Sequence, residues 1–553
     1  MPEGGAGSQV RRRAPAALLS LLAVATYGAI GVFTLFNAQT FTEEVAALVR
    51  SWWYATGAVV PYSPADVPPE MPLYYFELGF WQRLLGPGHL SGRLLSIGLG
   101  AASGLLLFAI CRRLSANTLV AAAAAFIFLA TPSTSFFFGT ATSAAAVSLL
   151  HLVAIWLIVV SMGRPRPMVS ALMGIVCALL YFTRQEMFLA VIVLIPLYAA
   201  ALGRDRALQS LIVVGAFAVT SAVGVVLLPE RFAAFALDLP VFGPFLGDAG
   251  LLGPDYTLVA RGTHAMGSLG AAFEAANLKG LLESFMLPNL GTLILAIALF
   301  GAASGPLKIL WAAPLYFLWL ALAHYLAASS EGACETCMHA ATPAFAAVGA
   351  LAAALTLAMS GRWARRHNVG AGTAIVLGAF IAVALNTFAP ALASHPAAKS
   401  FPRPMLDGVT AAPELSEIPV LTRWVASHLK TRQPVLVIQG FGRTDLAALP
   451  YAVAAAGHAM PAESLDLKGT RRTINQSLVG DMRESVRAAV EADGLWNEEI
   501  MRRWIERDYN VILLQDDAST AALKKDIEGR FDAAGTTRYR GRNVVLFTRK
   551  PAP

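Results

Sequence analysis

Thr42-Glu43-Glu44 sets two carboxylates side by side just after the first long apolar run of the chain. Carboxylates so placed can move protons in general acid–base chemistry, and they can equally be the solvated end of a helix. The neighbouring segments favour the first reading. Gly57 and Pro61-Tyr62-Ser63-Pro64 come next, then Asp66, then Glu70-Met71-Pro72-Leu73-Tyr74-Tyr75, and Arg93 opens the second apolar run. Aromatic and proline-rich segments of this kind could close a cavity over the acid pair. Arg93 suits a helix-end contact with an acidic partner.

The elements that must hold these residues are set by composition. Of the 553 residues 56% are hydrophobic and only 14% are charged, against about 25% charged in an ordinary soluble domain. The mean hydropathy is +0.59. Disorder is excluded, because disordered chains lack apolar residues. The net charge of +7 does not point to nucleic acid, since roughly half of the charged residues follow Phe401 in about the last quarter of the chain. Four cysteines are too few for a disulfide scaffold.

A hydrocarbon core takes roughly 20 apolar residues per helix. On that measure spans are expected at Ala14–Phe36, Leu90–Ile110, Asn117–Phe137, Ala141–Ser161, Met168–Thr183, Met187–Ala201 and Ala207–Leu228. Four more are expected at Leu290–Ala303, Ile309–Ala328, Ala341–Met359 and Ala371–Pro390, about eleven in all. The first run exceeds a cleavable signal and reads as a retained helix. Gly100 and Gly104 have the GxxxG spacing of close helix packing.

Lysine and arginine mark the cytoplasmic side. Arg11–Arg13, Arg112/Arg113, Arg164/Arg166, Arg204/Arg206, Lys308 and Arg362/Arg365/Arg366 fall in one alternating set of loops. Acidic residues fall in the other set, which includes two long segments rich in Trp, Tyr, Phe and Pro. The domain reading is therefore a cytoplasmic N-terminus at 1–13 and a transmembrane domain at 14–400 with long outer loops at 37–89 and 229–289. A periplasmic α/β accessory domain at 401–553 completes it.

In that tail Val435–Gln439 and Val511–Gln515 read as buried strands, and Thr537–Arg540 with Asn543–Thr548 as a hairpin. Helices are expected at Ser416–Lys430 with Ser416 as N-cap, and at Asp445–Ala456, Met482–Ala492, Asn497–Arg507 and Ser519–Phe531. Gly440-Phe441-Gly442 lacks the third glycine of a dinucleotide loop, so the tail reads as a lid or docking domain. Cys334-Glu335-Thr336-Cys337 lacks the histidine that haem attachment needs directly after the second cysteine. A local disulfide or two free thiols is its plainer reading.

The order of motifs resembles the GT-C superfamily of membrane glycosyltransferases, in the branch of the protein O-mannosyltransferases and the lipid A aminoarabinose transferase. Glu43-Glu44 stands where that branch has an Asp-Glu pair, and EMPLYY stands where [YH]PPLYY is usual. Thr183-Arg184-Gln185 is similar to its T[KR]Q segment, and Gly332-Ala333-Cys334-Glu335-Thr336 to a GAS-like outer loop. Gly494-Leu495-Trp496-Asn497 and the strand after it are similar to the tail of bacterial members. Two departures stand out. Glu43 replaces the usual Asp, and Phe138-Gly139-Thr140-Ala141-Thr142-Ser143 has no acidic residue where one is common.

The resemblance implies an α-helical polytopic membrane protein of GT-C type with a C-terminal soluble α/β domain. It implies an inverting glycosyltransferase of the bacterial inner membrane, moving a sugar from a polyprenyl-phosphate donor to a lipid, glycan or protein acceptor on the periplasmic side. Glu43 is then the candidate base, and Glu44 shares that role or binds the acceptor. Tyr62, Asp66, Glu70, Tyr74 and Gln185 are candidate substrate-binding residues, with Arg184 for the lipid phosphate. The alternative for Arg184 is a charge snorkelling to the interface. The resemblance fixes no cofactor and leaves room for a divalent cation; it implies no nucleic acid. Other readings are a transporter or flippase of lipid-linked saccharide, against which the absence of an internal repeat counts, and a catalytically silent scaffold.

Overall fold

The computed structural model describes residues 5–37, 42–57, 71–86, 88–115, 117–130, 134, 137–162, 166–184, 187–202, 206–227, 414–428, 435–439, 464–466, 510–516, 521–539 and 542–550. The chain divides into two compact units. One comprises Met1–Leu35 with Arg93–Gly408, the other Phe36–Gly92 with Val409–Pro553.

The apolar runs at the N-terminal side form helices. They are α1 (Gly5–Asn37), α2 (Thr42–Thr56), α3 (Leu73–Leu85), α4 (His89–Ser115), α5 (Thr118–Ala130), α6 (Ala144–Ser161), α7 (Pro167–Thr183), α8 (Met187–Leu202) and α9 (Arg206–Leu227). Among the described residues three stretches are long and apolar enough to cross a membrane: His89–Leu114, Ala144–Ser161 and Arg206–Gly224. Shorter apolar stretches lie in α1, α5, α7 and α8. Helix α5 covers Thr118–Ala130 of the third expected span, and Thr134 and Phe137 further along it are also helical. The expected spans after residue 228, the outer segment 229–289 and the Cys334–Cys337 loop lie outside the described residues.

In the first unit α4 and α5 pack around Leu107, Ile110, Ala121, Ala124 and Phe128, all fully buried. The glycine pair of α4 lets neighbouring side chains approach its backbone closely. A Cβ on Gly100 would meet the hydroxyl of Tyr27 and the ring of Phe138, and one on Gly104 the side chain of Leu129. Each glycine is a slot for a large side chain. Backbones do approach closely between α7 and α9, where a Cβ on Gly174 would strike the Val213 carbonyl oxygen and come within 2.7 Å of Ala216 Cβ. Small residues permit such approach in membrane helices.

A buried hydroxyl chain ties α6, α7, α8 and α9 together. Tyr198 OH lies 3.1 Å from Ser161 Oγ and 2.8 Å from Ser170 Oγ, and Ser170 Oγ donates to Gln209 Oε1. An amide oxygen only accepts. The proton order therefore runs from Ser161 to Tyr198, to Ser170 and to Gln209.

The C-terminal elements of the second unit are α10 (Glu414–His428), β1 (Val435–Gln439), β2 (Ser464–Asp466), β3 (Val511–Asp516), α11 (Ala521–Arg530), β4 (Phe531–Tyr539) and β5 (Arg542–Arg549). Among the described residues the strands form a five-stranded sheet in the order β2-β1-β3-β5-β4. Strand β1 runs parallel to β2 and β3, and β5 runs antiparallel to β3 and β4. Val511–Leu514 and Val544–Phe547 are buried at its centre. Lys524 Nζ donates to Asp516 at 2.7 Å, and that hydrogen bond raises the lysine's pKa.

Two expectations change here. Ser416 lies inside α10, which already begins at Glu414, so it is not the cap. Phe531 opens a nine-residue strand rather than closing a helix; paired along β5 from Arg549 to Arg542, the chain satisfies its backbone through the sheet. The helices expected at 445–456, 482–492 and 497–507 lie outside the described residues.

Candidate functional site

Helix α2 starts at Thr42, so Glu43 and Glu44 stand in its first turn. Negative charge is favoured there by the helix dipole. Glu44 is fully buried and has interaction partners of its own. It lies on one face with Ala47, Leu48 and Ser51, also buried.

That face packs against α3. Gln82 Nε2 donates to Leu48 O at 3.3 Å, and Gly79 sits against the Ser51 carbonyl. Tyr75 packs edge-on against Tyr54 with ring centroids 6.2 Å apart, and the Arg50 guanidinium lies 5.1 Å from the Tyr75 ring centre. These pairs run in opposite directions along the two helices, so α2 and α3 form an antiparallel hairpin.

The hairpin separates two of the candidate residues. Tyr74 is buried at 1% exposure, 6.0 Å from Tyr75 between ring centroids, at the Tyr54 end of α2. Glu44 is at the other end. Ten residues at ~1.5 Å each place them about 15 Å apart along the helix. Glu77 of α3 stays exposed, yet desolvation by the atoms around its carboxyl raises its pKa. Solvent screening at so open a position keeps its effect on stability small. Tyr62, Asp66 and Glu70 lie outside the described residues.

In the other unit Arg184 closes α7. Its backbone is extended (φ −154°, ψ 134°) and its N–H bonds to Leu180 O. Its Nη1 donates to Ser143 Oγ at 3.4 Å, and its carbonyl accepts the Met187 N–H at 3.0 Å. The guanidinium is thus tied to the residue that precedes α6. Gln185 lies outside the described residues.

Arg93 is fully buried, and its Nη1 donates to Thr34 O at 3.0 Å and Leu35 O at 3.3 Å. The last carbonyls of a helix have no partner within it, and a cation there is favoured by the dipole. Arg93 therefore closes the end of α1, through backbone oxygens that no sequence motif advertises. Gln82 carries no motif either; a polar residue on an otherwise apolar helix stripe is its single sequence signal. Among the described residues no group of three or more His, Cys, Asp or Glu could hold a metal ion.

No family model matches the sequence, and no curated protein does. Solved structures do. The crystal structure of ArnT from Cupriavidus metallidurans bound to undecaprenyl phosphate aligns with a TM-score of 0.56 at 14% identity, over 95% of this chain and 97% of that one. The apo state of the same protein aligns with a TM-score of 0.51 at 13% identity, with the same shares covered. The chain shares the fold of these two structures.

Proposed function

We propose that this protein is an inverting glycosyltransferase that moves a sugar from a polyprenyl-phosphate donor to an acceptor hydroxyl on the periplasmic side of the bacterial inner membrane. Two-unit architecture, apolar helices and an acid pair at the first turn of α2 all suit that chemistry. The observation that carries the reading is Glu43-Glu44 at the start of α2, in a chain whose fold matches ArnT along nearly its whole length.

The reaction needs few parts. The acceptor oxygen attacks the anomeric carbon and forms the new glycosidic bond. The bond from that carbon to the phosphate oxygen breaks, with inversion, and polyprenyl phosphate leaves. Glu43 accepts the hydroxyl proton. Glu44 shares that role or orients the acceptor. Arg184 stabilises the negative charge of the departing phosphate, and Tyr62, Asp66, Glu70, Tyr74 and Gln185 contribute to substrate binding. The segment 401–553 serves as a periplasmic accessory domain.

That ArnT is found bound to undecaprenyl phosphate supports a lipid-phosphate donor here. Purified protein incubated with polyprenyl-phosphate sugars should release polyprenyl phosphate and form a glycosylated acceptor. Repeating the assay with EDTA tests whether a divalent cation takes part. Binding of the donor without release under every acceptor supplied would favour the silent scaffold, and movement of the intact donor from one leaflet of a vesicle to the other the flippase.

A further inference from the structure

Helix α2 sets Glu44, Ala47, Leu48 and Ser51 at the spacing of one helical face, and all four are buried. Helix α3 grips that face at two points. Gly79 carries no side chain, and a Cβ there would run into the Ser51 carbonyl oxygen and come within 3.1 Å of Ala55 Cβ. One turn along, Gln82 is 0% exposed and donates from Nε2 to Leu48 O at 3.3 Å. Leu48 is one turn from Glu44, so the grip ends beside the acid pair.

Stability does not explain an amide at position 82. In a helix the Leu48 carbonyl already takes the N–H four residues on, and among the described residues Gln82 Oε1 has no hydrogen-bond partner. A half-satisfied buried amide is worse for stability than an apolar side chain of similar shape. What the amide supplies is a directional tie that an apolar residue lacks.

We propose that Gln82 is a positioning residue, whose hydrogen bond to Leu48 holds the first turns of α2 and so fixes where Glu43 presents its carboxylate. The proposal rests on the reading of Glu43 as the base. Gln82→Met in the full-length protein keeps the volume and removes the tie. Its unfolding temperature should equal or exceed that of wild type. Amide hydrogen exchange over residues 42–50 should quicken, with α9 unchanged. Turnover should fall roughly ten- to hundredfold, the scale of a small misplacement of a reacting group, with the donor KM within about twofold of wild type. In a Glu43→Gln background the same change should cost little more, because both act on one step.

A merely structural Gln82 gives the opposite pattern: a lower unfolding temperature or loss of folded protein. That result overturns the proposal. So do unchanged exchange over residues 42–50 and losses that multiply with those of Glu43→Gln. If the wild-type protein releases no polyprenyl phosphate, the catalytic reading falls by itself. The exchange and unfolding measurements then still decide whether Gln82 holds α2.

Discussion

Arg184 donates from Nη1 to Ser143 Oγ at 3.4 Å, joining the end of α7 to the residue before α6. Ser143 lies in the stretch where the GT-C branch has an acidic residue, so a neutral hydroxyl meets the guanidinium at this contact. Ser143→Asp would set a carboxylate against it and compete with an anionic donor. A charge-assisted hydrogen bond contributes about 1.5–3 kcal/mol, so the donor KM should rise roughly ten- to hundredfold.

Arg184→Ala tests the same contact from the other side. The donor KM should rise on a similar scale, with expression and unfolding temperature near wild type. Loss of folded protein would assign Arg184 to the architecture instead. Paired KM and unfolding measurements separate the two.

Glu43→Gln keeps size and hydrogen bonding while removing the proton acceptor. Turnover should fall about 10²–10⁴-fold, the usual general-base contribution, with membrane insertion unchanged. Glu44→Gln should cost less turnover but more stability, since Glu44 is fully buried and a buried partnered carboxylate is costly to replace. Near-normal transfer by Glu43→Gln, with Glu44→Gln inactive, moves the base by one residue. Activity in both variants removes the carboxylate mechanism.

Tyr198→Phe cuts the hydroxyl chain between Ser161 and Ser170 while the ring remains. The loss should be about 1–3 kcal/mol, because buried hydroxyls are left with fewer partners. Thermal unfolding reads it as a lower midpoint. Transfer by the folded fraction should be unchanged, as this cluster binds no substrate in the proposed mechanism.

The segment after Phe401 is expected on the outer side of the membrane. A fusion after Pro553 of a reporter active only in the periplasm should be active. Activity of a cytoplasm-only reporter at the same site would reverse the orientation drawn from the arginine-rich loops.

The sequence by itself determined where α4 and α6–α9 run, and it marked the strands at Val435–Gln439 and Val511–Gln515, while α1 begins at Gly5, nine residues before the apolar run that announced it. Apolar run length and β-branched clustering are local properties, carried by neighbouring residues and independent of what packs against them. Tertiary structure decided the rest. Glu43 and Glu44 are adjacent residues of the same type, and nothing in that pattern says that Glu44 is fully buried or that α3 packs antiparallel on α2. That packing also sends Tyr74 to the far end of the hairpin from Glu44, although both belong to the motif series that nominated them. Gln82, and Arg93 at the end of α1, gained their roles from backbone carbonyls 34 and 58–59 residues away in the chain. Every residue offers such a carbonyl, so no side-chain pattern can single one out; the choice is made when the helices meet.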